Sequence, residues 1–151
     1  MNLRKLFISI LIPVGLGALV GLITSSFSNY SSYNMPSFAP PGILFPIVWT
    51  ILYTLMGISS YIISESNSRE KENALSIYWL QLGINLLWSI IFFVLNLKTL
   101  AFIWIILLII AVIIMLKKFL SINKLAGYLQ VSYLLWLLFA AVLNLSIIFL
   151  N

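Results

Sequence analysis

Residues Leu44–Ser64 read LFPIVWTILYTLMGISSYIIS, with no charged side chain among them. As a helix rising about 1.5 Å per residue, the stretch reaches roughly 30 Å, the thickness of a bilayer's hydrocarbon core. Four more uncharged apolar runs flank it: Leu6–Thr24, Leu75–Asn96, Leu100–Leu116 and Leu125–Phe149. Helices are the open-chain form that satisfies every backbone polar group in lipid. The sequence therefore predicts an all-α integral membrane protein, a single domain over 1–151 built as a five-transmembrane-helix bundle. The first run follows Arg4 and Lys5 as a signal peptide would, but it is long for one and lacks an Ala-x-Ala cleavage site, so it is read as a span.

The composition narrows the chemistry. The 151 residues are 63% hydrophobic and 7% charged, where a soluble domain carries about 25% charged residues. There is no Cys, no His and no Asp, and the acids Glu65, Glu70 and Glu72 share one short connection. Such a chain lacks the ligands for zinc or an iron–sulfur cluster, so no metal and no cofactor is expected. It also lacks the groups for a nucleophilic triad or an intramembrane carboxylate relay. The net charge of +5 does not signal nucleic acid. Arg4, Lys5, Arg69, Lys71, Lys117, Lys118 and Lys124 fall on one side of a five-span topology, and Lys98 falls alone on the other. By the positive-inside rule the N-terminus is cytoplasmic and the C-terminus opposite, as suits a bacterial plasma membrane.

In lipid, burial of apolar side chains does not drive helices together, so polar, aromatic and small residues carry the information. The connection Ser25–Pro41 is polar, uncharged and aromatic, with Phe27, Tyr30, Tyr33 and Phe38. It is longer than the roughly 2–8 residues a helix pair needs, and it reads as a lid. Gly17 and Gly21 form a GxxxG, a weak candidate for a homodimer interface or for close packing within the bundle. Pro13 is expected to loosen the first helix.

Trp79 and Trp104 lie near span ends, where tryptophan commonly anchors at the interface. Trp49, Trp88 and Trp136 lie deeper, each with companions at helical spacing: Trp49, Tyr53 and Gly57; Asn85, Trp88 and Phe92; Trp136, Ala140 and Asn144. Each set shares a helix face. Three such faces would either line an aromatic pocket under the lid or tie the helices together, and spacing alone leaves both readings open.

The run Pro40-Pro41-Gly42-Ile43-Leu44-Phe45-Pro46-Ile47-Val48-Trp49-Thr50-Ile51-Leu52-Tyr53 resembles the second-helix signature of the tryptophan-rich sensory protein/translocator protein family, the peripheral-type benzodiazepine receptors. Asn85-Leu86-Leu87-Trp88-Ser89 resembles its third-helix motif, and Tyr133-Leu134-Leu135-Trp136 with Ala140 and Asn144 its fifth. The resemblance implies a membrane receptor or sensor, often dimeric, that binds porphyrins (tetrapyrroles) and benzodiazepine- or isoquinoline-type ligands beneath the first loop. It carries the ligand-binding role to Tyr30, Trp49, Tyr53, Asn85, Trp88, Trp136 and Ala140. It carries a part in light- and oxygen-dependent porphyrin breakdown to Trp49 and Trp136, the catalytic candidates if the protein is an enzyme. Passive porphyrin or lipid transport is the third reading. The sequence departs from the family's lid, which commonly reads Trp-Tyr and then Lys-Pro: here stand Asn29-Tyr30 and Met35-Pro36. The fifth-helix proline is Ser132, and Leu143–Asn151 holds neither the aromatic–cation pair of the proposed sterol motif nor any cation.

Overall fold

The computed structural model describes residues 1–27 and 30–151. Helix α1 covers Leu3–Ser25, α2 Leu44–Ser64, α3 Lys71–Ser89 and α4 Lys98–Ile122. The last crossing is made of α5, Lys124–Tyr128, and α6, Val131–Leu150. Five segments are thus long and apolar enough to cross a membrane, and no strand occurs among the described residues.

The helix boundaries differ from the apolar runs where polar residues join a helix. Helix α4 runs past Leu116 through Lys117 and Lys118, because long cationic side chains can snorkel to the interface while their backbone stays helical. The third crossing starts at Lys71 and ends in a π-helical turn, Ile90–Val94. The backbone then passes through Asn96 at φ 55°, a left-handed conformation that Asn tolerates better than most residues.

Asn123 ends α4 and starts α5. Its backbone is extended, and its Oδ1 accepts the N–H of Ala126 at 3.1 Å. Gly127 lets the chain fold back closely, since a Cβ there would overlap Leu120. The break between α5 and α6 is stitched by fully buried Gln130, whose Nε2 donates to Ser59 Oγ at 2.7 Å and to the Leu55 carbonyl at 3.3 Å. Ser59 Oγ in turn donates to the Ala126 carbonyl. These bonds tie the turn to α2, while Gln130 Oε1 meets no donor among the described residues.

The core lies between α2, α3, α4 and α6, around Met56, Tyr78, Leu82, Ile105, Leu108, Met115 and Leu137. Helix α1 is an outer layer; of its side chains only Pro13 and Thr24 are buried. Pro13 has no N–H, so the Ser9 carbonyl loses its helical donor. That carbonyl and the Ile10 backbone face Gly57 of α2 so closely that a Cβ on Gly57 would overlap both. The loosened turn and the bare glycine fit each other, and two backbones approach as small residues permit.

Contacts at the two ends sort the charges. Lys5 Nζ meets Glu65 Oε1 at 2.6 Å, and the Asn2 N–H donates to Tyr61 Oη at 2.9 Å. Asn34 and Asn151 pair at the opposite end: Asn151 Oδ1 accepts the Asn34 N–H, and Asn151 Nδ2 donates to the Asn34 carbonyl. The Lys5 hydrogen bond, aided by the charges of Lys5 and Lys71, holds the Glu65 carboxyl below the usual carboxylate range. A depressed folded-state pKa stabilises the fold above the unfolded pKa, and the gain disappears as pH falls through the folded value. Both side chains are largely solvent-exposed, so the effect is small and screened by salt. Acidifying from neutral should lower the melting temperature slightly at low ionic strength. That pH-dependent component should be missing in Glu65→Gln, and a titration that does not change in the variant would refute the pairing.

Candidate ligand-binding site

Aromatic rings from both sides of the lid connection gather at the end of the bundle away from Glu65. Trp88 stacks on Phe92, with ring centroids 5.2 Å apart, and meets Phe93 edge-on at 6.0 Å. Trp136 leans on Phe139 at 5.2 Å and meets Phe45 edge-on at 5.9 Å. Phe45 takes the edge of Tyr30 at 5.0 Å, and the Tyr30 hydroxyl donates to the Pro40 carbonyl at 3.1 Å. Burial holds the Tyr30 phenol above its ordinary pKa. Phe92 takes the edge of Tyr33 at 6.1 Å. Tyr33, Met35 and Ala39 of the connection pack onto a small core of Ile91, Phe92, Ala101, Leu143 and Ile147. Trp88 packs on this core directly, and Trp136 reaches it through Phe45 and Phe139, which pack on it too. Asn29, where the family resemblance expects tryptophan, lies outside the described residues.

Trp49 belongs to the neighbouring, deeper layer. It stacks on Tyr53 at 5.4 Å and meets Tyr133 edge-on at 6.2 Å. Both tyrosines are anchored by Asn85. The Tyr53 hydroxyl donates to Asn85 Oδ1 at 2.6 Å, and Asn85 Nδ2 donates to Tyr133 Oη at 2.8 Å. Tyr133 then donates to Gln81 Oε1 at 2.7 Å. The chain links α2, α3 and α6 through side chains that are nearly or completely buried. Asn85 is therefore occupied on both amide atoms, and a ligand reaching it competes with two tyrosine hydroxyls. Sequence spacing named Tyr53 and Asn85 but missed Gln81 and Tyr133 as their partners. The signal was present in the spacing: Gln81 stands four residues before Asn85, and Tyr133 three before Trp136, each on the same helix face.

The rings lie stacked or edge-on against one another. The hollow beside them is an open groove of about 430 Å³ between α2 and α6, lined by Val48, Ile51, Leu52, Leu135, Trp136 and Phe139. Of the residues expected at the site, Trp136 lines this groove, while Tyr53, Asn85 and Ala140 are buried behind it. Among the described residues the buried indole N–H groups of Trp88 and Trp136 meet no acceptor, and buried Asn144 Oδ1 meets no donor. The other end of the Asn144 amide donates to the Lys98 carbonyl at 3.1 Å, tying α6 to the start of α4. Buried polar groups are nearly always satisfied, so two orphan donors beside one aromatic cluster mark where a bound molecule has something to gain.

Two residues serve differently from their sequence expectation. Trp104 is no plain interfacial anchor, since its Nε1 donates to the Ile84 carbonyl at 2.9 Å and joins α4 to α3; Trp79 remains half exposed, as an anchor would be. Gly17 is covered by the Tyr53 ring within the same chain, whereas Gly21 has open space around it. The first glycine of the GxxxG thus seats α1 on α2 within the bundle.

The comparisons agree with this architecture. Residues 9–150 match the model of the TspO/MBR family. A tryptophan-rich protein TspO from Archaeoglobus fulgidus is 38% identical over 100% of this chain and 99% of its own length. A protein of the same name from Chlorobaculum tepidum is 32% identical over 99% of both. The protein CrtK of Rhodobacter capsulatus is 35% identical over 87% of this chain and 83% of its own. With likeness running nearly end to end and five membrane-crossing helices in place, this integral membrane protein belongs to the TspO/MBR family.

Proposed function

We propose that the protein is a membrane receptor or sensor for flat hydrophobic molecules, tetrapyrroles first and benzodiazepine- or isoquinoline-type compounds second. The observation that carries the reading is a pair of buried indole N–H groups that meet no acceptor among the described residues: Trp88, packed on the small core under the first connection, and Trp136, joined to that core through Phe45 and Phe139. A molecule leaving the bilayer gains little from apolar burial alone. Selectivity has to come from ring contacts, each adding about 0.5–1.5 kcal/mol beyond area, and from a few hydrogen bonds. The α2–α6 groove opens laterally beside Trp136, which suits a ligand arriving from lipid. Its volume lies within the roughly 300–1,000 Å³ of small-molecule sites. Tyr30 and Phe45 would cap the site, Trp49 and Tyr53 form its floor, and Ala140 leaves room beside Trp136. Asn85 would hold the two floor tyrosines rather than touch the ligand first. The charge distribution supports a bacterial plasma-membrane location with the N-terminus in the cytoplasm.

The test is a porphyrin titration of the purified protein in detergent, read by tryptophan fluorescence. Bound porphyrin should quench the emission saturably, and isoquinoline-type ligands should compete. Trp136→Phe and Trp49→Phe should each weaken the quenching. Quenching that stays the same in both variants, or none in the wild type, would remove the assignment. A second reading, light- and oxygen-dependent porphyrin breakdown, is favoured by Trp49 standing between two phenols, Tyr53 and Tyr133. Illuminating the same samples separates the two: breakdown requires loss of porphyrin absorbance in the light only, and its absence in Trp49→Phe.

A further inference from the structure

Lys98 is the one Lys or Arg at the lid end of the bundle. The three carboxylate side chains lie at the other end, between residues 65 and 72. Among the described residues the ion pair found is Lys5–Glu65, so Lys98 has no carboxylate partner there. Its ammonium instead sits over the Tyr33 ring, 4.2 Å from the centroid. Tyr33 belongs to the connection that covers the aromatic cluster, and its hydroxyl donates to Asn96 Oδ1 at 2.9 Å. The backbone holds this arrangement firmly: Asn96 takes the left-handed turn, and the buried Asn144 fixes the Lys98 carbonyl. A cation resting on a phenol ring is bound weakly compared with one meeting an anion, because the ring offers a quadrupole and no charge.

We infer that Lys98 is the residue that reads an anionic group on the pocket's ligand. A carboxylate carried by a flat aromatic molecule takes the ammonium from the face of Tyr33, and the ion pair sets a preference for acids over neutral analogues of the same shape. The loosened Tyr33 ring is then free to follow the ligand's edge. This specificity rests on the pocket reading above, and it assigns the polar end of the ligand to the α3–α4 turn and its ring system to Trp88 and Trp136. The same ammonium chemistry would suit the phosphate of an anionic lipid, so the test has to separate the two sources.

Protoporphyrin IX and its dimethyl ester share one ring system and differ in charge. Both are titrated by tryptophan quenching into the full-length protein in nanodiscs of zwitterionic lipid. The diacid should bind wild type about tenfold more tightly than the ester. That ratio should fall to near one in Lys98→Met and be retained in Lys98→Arg. Tyr33→Leu, which releases the ammonium, should keep the ratio or raise it. Equal binding of acid and ester to wild type, or a ratio that survives Lys98→Met, would overturn the assignment while leaving the pocket reading intact. If neither porphyrin quenches wild type, the pocket itself is wrong and this inference falls with it. Adding an anionic phospholipid to the nanodiscs should leave the ratio unchanged; collapse of the ratio there would give the ammonium to lipid phosphate and refute a ligand-reading role.

Discussion

Gly57→Leu should unseat the first helix and give the largest loss of stability of any single change on the α1–α2 contact. A side chain at this position runs into the backbone of Ile10 and the carbonyl of Ser9, not into a flexible neighbour that can step aside. Overpacking of this kind costs about 1–3 kcal/mol even where side chains can adjust; with backbone as the obstacle the upper part of that range is expected. The tilt of α1 would have to change, and with it the position of Gly17 beneath Tyr53, so the floor of the site moves as well. Thermal unfolding in detergent is the measurement. Gly21→Leu is the control, since nothing stands within 4 Å of a Cβ there. If Gly21→Leu and Gly57→Leu melt alike, the close approach at Gly57 is not what holds α1. A loss with Gly21→Leu that depends on protein concentration would instead reveal a second chain packed on that face.

The second large effect is expected from Asn85→Leu. Membrane-embedded hydrogen bonds average only about 0.6 kcal/mol, because an unfolded helix in lipid also finds partners. Asn85 exceeds that average, since it serves two tyrosines at once and its loss leaves the Tyr53 hydroxyl buried with no acceptor. Stranding a buried hydroxyl costs about 1–3 kcal/mol. Tyr53→Phe removes the donor together with its need and should cost less. Because the groups act as one chain, adding Tyr53→Phe to Asn85→Leu should recover part of the loss rather than deepen it, and a double-mutant cycle in thermal stability would show the coupling. Strict additivity would mean that the two side chains do not depend on each other, against the geometry. Porphyrin quenching should weaken in Asn85→Leu as well, through Trp49, which lies between the two tyrosines the amide positions.

Some of the site was legible in the sequence. Ala140 and Asn144 are buried, while Trp136 of the same stripe is half-buried at the groove, and Phe92 is buried on the same side of its helix as Asn85. Helical periodicity shows which side chains share a face, but not which face of another helix they meet. For that reason spacing did not show the partners of Asn85: Tyr53, Tyr133 and, through it, Gln81 come from three helices. The same limit hid Tyr33 and Lys98. A residue in an aperiodic connection and the first residue of a helix have no common pattern, and only the packing of the connection against the α3–α4 turn brings them together.

By itself the sequence determined the number of crossings, the sorting of charge to two ends and the family, because the lack of hydrogen-bonding water in lipid forces each long uncharged run into a helix. Tertiary structure alone decided which glycine seats a helix, which amides are already engaged and which indole N–H groups stay open. Those outcomes depend on ångström-scale approach between segments far apart in the chain, where one missing Cβ or one carbonyl freed by a proline changes what fits.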